Sequence, residues 1–167
     1  SKGKGKTVGP AQLGALPATD PHRAVKAFVN EHSALFGHDA SVFDSARVKR
    51  DQVTKHSGLR TVVWEQTVDE IAVFEGLFIE NTTRDGELVN IQSRFVPDAV
   101  KAAGKGNRNW KSLVANPAVS AAQAIANAAA NVGGQVETSS VLVAEAAQGP
   151  EKRQTLKADE LTGPAWA

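Results

Sequence analysis

The chain has 167 residues and a mass of 17.6 kDa, and its 19 Lys and Arg nearly balance 18 Asp and Glu, for a net charge of +1. This balance gives no electrostatic basis for binding nucleic acid, and no apolar run approaches the roughly 20 residues of a membrane-spanning helix. Cysteine is absent, which excludes disulfides, thiol catalysis and Cys-ligated zinc. We therefore expect no cofactor, no nucleic-acid partner and no membrane partner.

The N-terminal region predicts a flexible tail followed by one helix. Residues 1–19 are rich in Lys, Gly, Ala and Pro and have no apolar periodicity, and no apolar segment of a signal peptide follows the positive start. Asp20-Pro21 is a typical helix start, apolar residues then recur every three or four positions, and Gly37 is a natural stop. The pattern predicts an amphipathic helix over residues 21–36.

Between residues 46 and 97 the apolar period changes to two, which predicts strands. We expect four of them, over residues 46–54, 59–68, 73–82 and 87–96. Asp85-Gly86 is a strong hairpin signal between the last two strands, and Pro97 ends the run. The predicted arrangement is an antiparallel meander that follows the helix.

Two residues of the second predicted strand have specific expected roles. Trp64 lies among valines and is expected in the core. Gln66 shares a face with apolar residues, where an unpaired amide would cost about 1–3 kcal/mol. We therefore expect Gln66 to brace a neighbouring backbone segment.

A second helix-plus-strand region follows a connector. Residues 98–117 are polar and Gly-containing, with an apolar patch at Trp110, and are interpreted as a linker. Ser120 is expected to cap a helix over 121–132, and strands are predicted over 136–147 and 152–158. Trp166 lies in an apolar end, so this second region looks incomplete.

No pattern in the chain predicts catalysis or a metal site. The zinc signature His-Glu-x-x-His, the Gly-x-Ser-x-Gly nucleophile elbow and the phosphate-binding loops are all missing. The four glutamates on or beside strands are interpreted as a solvated strand face, and the four histidines as solvated or lining one face of the helix; the glutamates are Glu65, Glu75, Glu80 and Glu87. The chain itself is therefore predicted not to be an enzyme.

Four segments of the meander together resemble fungalysin/thermolysin propeptide domains. They are 59–66, which runs apolar into a glutamine; 71–74, where the family usually has Gly-Val-Pro-Val-Phe; the hairpin 85–89; and the closing 95–97. Ile71 and Ala72 depart from the usual Gly and Pro-containing pattern, which is expected to shift the turn and not the fold. The residues that match the motif, in structural roles, are Gln66, Val73, Phe74, Asp85, Gly86 and Pro97.

Downstream, residues 119–128 resemble the start of a PepSY-type unit, Ser-Ala-x-x-Ala-Ile-x-x-Ala, and 161–166 resemble its late strand, cut short. The long connector favours the fungalysin type over the thermolysin type. The implied fold is α+β, with two small cystatin-like modules, each a helix packed on an antiparallel sheet, the second incomplete. The expected segments are a tail (1–19), a propeptide-type module (20–97), a linker (98–117) and a PepSY-like unit (118–167).

The resemblance implies the N-terminal propeptide of a secreted zinc metalloendopeptidase, which assists folding of the peptidase and inhibits it until cleaved. The partner would be the metallopeptidase catalytic domain, and the location extracellular. Trp110 and Trp166 are candidate partner contacts because aromatic residues anchor interfaces, although packing within the chain's own module is the alternative. A free-standing secreted binding module or protease inhibitor is the alternative function, and His-Glu-x-x-His in the reading frame beyond Ala167 would distinguish the two.

Overall fold

The structure is a computed structural model that describes residues 14–106 and 109–162. The chain divides into two compact units, Ser1–Ala102 and Ala103–Ala167. The first contains a four-stranded antiparallel sheet with helices, and the second contains a two-stranded antiparallel sheet with helices. The predicted α+β class with two small modules is confirmed.

The predicted helix over 21–36 is two helices, α1 (Arg23–Glu31) and α2 (Ser33–Phe36). They are separated by His32, whose ring nitrogen Nδ1 lies 3.1 Å from the Phe28 carbonyl oxygen, and whose ring stacks on that of Phe28 at 4.2 Å. The His32 backbone N–H still donates to the Phe28 carbonyl oxygen at 3.0 Å, so the helical hydrogen bonds of α1 extend to His32. Gly37 ends α2 in the left-handed conformation with φ +73°, as the sequence predicted.

The predicted meander is confirmed. Its strands are paired in chain order, every pair antiparallel: β1 (Ala46–Val53), β2 (Arg60–Val68), β3 (Ile71–Thr82) and β4 (Leu88–Ser93). β3 begins two residues earlier than predicted because Asp69 and Glu70 alone form the turn from β2, both with positive φ. Such two-residue turns match the right-handed twist of a hairpin.

An aromatic core lies between the helices and the sheet. A 3-10 helix, Ala40–Ser45, places Phe43 between Trp64 and Phe78, with ring centroids 5.0 and 4.9 Å away. Phe78 is fully buried and Trp64 is 6% exposed, which confirms the expected core position of Trp64. Full burial of one such side chain stabilises a fold by about 1.5–3 kcal/mol, so this cluster is the main source of stability in the first unit.

The segment 98–117, interpreted as a linker, contains two helices, α3 (Ala99–Gly106) and α4 (Trp110–Ala115). Asp98 accepts a hydrogen bond from the Lys101 backbone N–H at 3.1 Å, which satisfies one free donor of the first turn. The sequence interpretation missed this N-cap and took the glycines as evidence for irregular chain.

In the second unit, α4 is followed by α5 (Ala121–Asn131), where the Ser120 hydroxyl accepts a hydrogen bond from the Gln123 N–H at 3.2 Å as predicted. The sheet pairs β5 (Leu142–Gln148) with β6 (Arg153–Lys157). The predicted strand 136–147 is shorter at its start, where Thr138–Ser140 is a 3-10 helix.

The predicted late strand over 161–166 is wrong where the structure describes it, because Asp159–Thr162 is a 3-10 helix. The remainder, including Trp166, lies outside the described residues. No helix within 14–106 and 109–162 has the length and apolar character that a membrane span requires.

Candidate partner-binding surface

β3 leaves the sheet for four residues near its start. Glu65 lies opposite Leu77, and Thr67 lies opposite Ala72. One residue of β2, Gln66, therefore faces the four residues 73–76 of β3. This is an enlarged β-bulge, a feature that bends a strand and redirects side chains.

The Gln66 side chain closes the gap that this bulge leaves. Its Nε2 donates to the Val96 carbonyl oxygen at 2.9 Å, and its Oε1 accepts from the Val96 N–H at 2.8 Å. Gln66 is 2% exposed, so both polar ends of the amide are satisfied inside the protein. Gln66 therefore braces the backbone at Val96, in agreement with the expected role.

The region from the β2–β3 turn through the bulge, residues 69–76, is called the tip. The chain has four non-glycine residues with positive φ among those described, and three of them are in the tip: Asp69 (+48°), Glu70 (+65°) and Glu75 (+55°). Each such conformation costs about 1–2 kcal/mol for a residue with a Cβ. The strain is concentrated at one end of the hairpin.

The two motif residues in the tip differ in exposure. Val73 is half-buried and packs against Gly76, where an added Cβ would lie 2.9 Å from Val73 Cβ. Phe74 is 92% exposed. The sequence pattern gave both residues a structural role, and the exposure of Phe74 does not fit one.

The other motif residues lie at turns and chain reversals. Asp85 and Gly86 are in the β3–β4 turn, where the Thr83 N–H donates to the Glu87 carbonyl at 2.8 Å and Gly86 has φ +80°. Pro97 follows the braced Val96 and packs beside Gly37, with Pro97 Cγ 3.0 Å from the position that a Cβ on Gly37 would take. These residues are remote from the tip in sequence and shape the sheet's ends.

Two strand glutamates interpreted as solvated are buried. Glu80 is 2% exposed, and its Oε1 lies 2.7 Å from Nδ1 of His22, whose ring packs edge-on against Trp64 at 4.6 Å. The alternation along β3 predicts this burial, because Glu80 lies two positions after the fully buried Phe78 and so shares its face of the sheet. The pair ties the start of the helical segment to the sheet.

Glu65 is also buried, and it is neutralised by two cations of β1. It accepts hydrogen bonds from Lys49 Nζ at 2.6 Å and from Arg47 Nε at 2.8 Å. These hydrogen bonds, from Lys49 first and then Arg47, lower the pKa of the Glu65 carboxyl below its ordinary value. A carboxylate held in this way is stabilised in its charged form and is a poor general acid.

In residues 14–106 and 109–162, no three His, Asp or Glu side chains are grouped so as to hold a metal ion. The exposed tip is therefore the feature of the first unit that a partner could contact.

Residues 44–95 match the family model of the Fungalysin/Thermolysin Propeptide Motif. No curated protein and no solved structure matches the chain significantly. The propeptide-motif region covers roughly a third of the chain, and it contains β1 to β4 whole. Because this family is a protease propeptide motif and not a catalytic domain, the match supports a metalloprotease propeptide and an association with a protease catalytic domain.

Gln66 and the tip lie inside the propeptide-motif region, whereas Val96, which the Gln66 side chain braces, lies one residue beyond it and Pro97 two residues beyond it. Trp110 lies outside it, half-buried at the first position of α4, with Lys111 Nζ 5.5 Å from its ring centroid. Trp166 lies outside the described residues. The structure places Gln66, Val73 and Phe74 in the first unit, where the register shift between β2 and β3 sets Gln66 opposite residues 73–76.

Proposed function

We propose that the chain is the propeptide of a secreted zinc metalloendopeptidase, acting as a folding assistant and as an inhibitor of the peptidase until it is cleaved. The observation that carries the proposal is the propeptide-motif match over residues 44–95, which coincides with an intact four-stranded sheet. A propeptide needs a folded recognition surface and no chemistry of its own. The aromatic core and the buried, paired carboxylates stabilise the first unit, and its exposed tip offers a surface of that kind.

The second unit supports a role that depends on a larger partner. All seven residues of β5 are exposed. The buried hydrophobic residues of the second unit, among those described, are Ala129 and Ala158. An isolated two-stranded sheet is marginally stable in water. We infer that residues 118–167 form a PepSY-like unit of a fungalysin-type precursor, and that Trp110 and Trp166 contribute to its contact with the peptidase.

The physical reason for a propeptide is kinetic. Secreted proteases survive through a high unfolding barrier, and the same barrier can slow their folding. A partner that binds the native-like surface favours folding and then occupies the protease until its own backbone is cut. An interface of about 1,600 Å² permits the nanomolar affinity that inhibition needs.

The first test is to read the coding sequence beyond Ala167. His-Glu-x-x-His on a helix is expected there, because that spacing places two zinc-binding imidazoles on one helix face. The catalytic domain that contains it should then be purified and assayed on casein with and without residues 1–167 added as a separate chain. We expect inhibition at nanomolar concentrations and a higher yield when the denatured catalytic domain refolds with the chain present.

One truncation and two substitutions locate the inhibition. We expect residues 1–100 to lose most of it, and Trp110→Ala or Trp166→Ala to weaken it tenfold, about 1.4 kcal/mol. Full inhibition by 1–100 would place the inhibitory surface on the first unit alone. No binding by the full chain would favour the free-standing binding module.

A further inference from the structure

The tip combines an exposed aromatic side chain with a backbone that is held rigid, and this combination suggests recognition. Phe74 is 92% exposed, whereas Leu35, an exposed apolar residue of the same unit, lies on the ordinary helical backbone of α2. Single exposed apolar residues are common and need no explanation. Phe74 differs because the chain stores strain on both sides of it, at Glu70 and Glu75.

Several contacts fix the tip. Arg94 Nη1 lies 3.0 Å from Glu75 Oε2, and the Arg94 N–H donates to the Leu77 carbonyl at 2.8 Å. The Gln66 brace closes the sheet beneath the bulge, and Val73 packs on Gly76. A preformed loop loses little conformational entropy on binding, so its anchor residue contributes more to affinity. Strained backbone that the surrounding structure over-determines is typical of binding sites.

Charge around Phe74 restricts the partner. Asp69, Glu70 and Glu75 are exposed carboxylates within five positions of it, and Arg94 forms an ion pair with Glu75. An apolar anchor with an acidic surround fits an apolar pocket that has basic side chains at its rim.

We propose that the tip is a preformed docking element, in which Phe74 enters an apolar, basic-rimmed pocket on the peptidase catalytic domain. The proposal rests on the proposed function, and it adds a contact on the first unit to those proposed for Trp110 and Trp166. The propeptide-motif region spans the whole tip, which places the tip in the part of the chain that matches a protease-associated family.

The test measures binding of full-length chain variants to the purified catalytic domain encoded downstream, by biolayer interferometry and by inhibition. Phe74→Ala should weaken binding at least tenfold, mainly through faster dissociation, and leave the melting temperature nearly unchanged because the side chain is exposed. Leu35→Ala is the matched control, with the loss of an exposed apolar side chain on the same unit, and should change affinity less than threefold.

Charge reversal tests the basic rim. Glu70→Lys should slow association at least threefold at 20 mM salt and much less at 500 mM, since salt screens exposed charges. Glu87→Lys, at the opposite end of β3, should leave the association rate unchanged. Equal rates for the two variants would overturn the assignment of a basic rim.

Three outcomes separate the inference from the proposed function. If the unmodified chain inhibits and Phe74→Ala inhibits equally well, docking by the tip is wrong and the proposed function stands. If the unmodified chain does not bind the catalytic domain, both fail. If light scattering shows a dimer that Phe74→Ala converts to a monomer, the occupant is a second copy of this chain and the peptidase assignment is overturned.

Discussion

Replacing Gln66 by leucine should destabilise the first unit strongly. The amide makes two hydrogen bonds to the Val96 backbone at 2.8 and 2.9 Å and is 2% exposed. Each bond contributes about 1 kcal/mol, and a buried group left without a partner costs about 1–3 kcal/mol. Because Val96 is half-buried, water recovers part of this penalty, and we expect a loss of about 2–4 kcal/mol. A domain of this size should then melt about 10–25 °C lower.

Urea unfolding followed by the fluorescence of Trp64, in a Trp110→Phe, Trp166→Phe background, measures this loss in the first unit alone. Gln52→Leu, at an exposed position of the edge strand β1, is the control and should change the free energy of unfolding by less than about 0.5 kcal/mol. Gln66→Glu keeps the acceptor for the Val96 N–H but loses the donor, so it should be destabilised at pH 7 and partly recover once the carboxyl is protonated. A loss below 1 kcal/mol for Gln66→Leu would show that the brace is not needed.

Three further predictions concern the turn, acid stability and metal. Gly86→Val should cost about 1–2 kcal/mol because Gly86 has φ +80°, whereas Gly104→Val, in α3 with open space around it, should be nearly neutral in urea unfolding; equal costs would contradict the turn assignment. Because its pKa is lowered in the folded protein, the charged Glu65 carboxylate should add stability at pH values above the ordinary glutamate range. This stability should be lost as pH falls below about 4.5 towards the pKa of the folded state, so Glu65→Gln should flatten that part of the pH–stability curve. An unchanged curve would refute the ion-pair argument. EDTA, zinc and calcium should leave the melting temperature unchanged, and a stoichiometric rise of several degrees would contradict the expectation of no structural metal.

The strand order could be predicted from the sequence because one face of the sheet is buried. Where half the positions face a core, a period of two fixes both the strands and their register, and Asp85-Gly86 fixes the last turn. The buried Glu80 was missed although the same alternation predicts it. A glutamate is usually exposed, so the residue type argues against burial although the position favours it. The partner that makes burial of Glu80 tolerable, His22, is 58 residues away in sequence.

The tip could not be predicted in the same way. The apolar period alone does not show that four residues of β3 lie opposite one residue of β2, since Val73 and Phe74 are themselves apolar and strand-forming. The four-residue bulge in β3 becomes visible only when the residues of β2 and β3 that pair with each other are known. The sequence therefore placed Phe74 in a structural motif, and its exposure depends on a register shift between two strands.

The Gln66 brace also separates two properties that most sheets combine. In an ordinary strand, a change of length or sequence disturbs the ladder on both sides, so the residues that recognise a partner are constrained by the residues that hold the fold together. Here the ladder is closed by a side chain from β2, and residues 73–76 lie outside it. An engineer could therefore lengthen or replace this segment, as antibody loops are replaced on a fixed framework, and redirect the chain to another protease while the sheet beneath it stays the same.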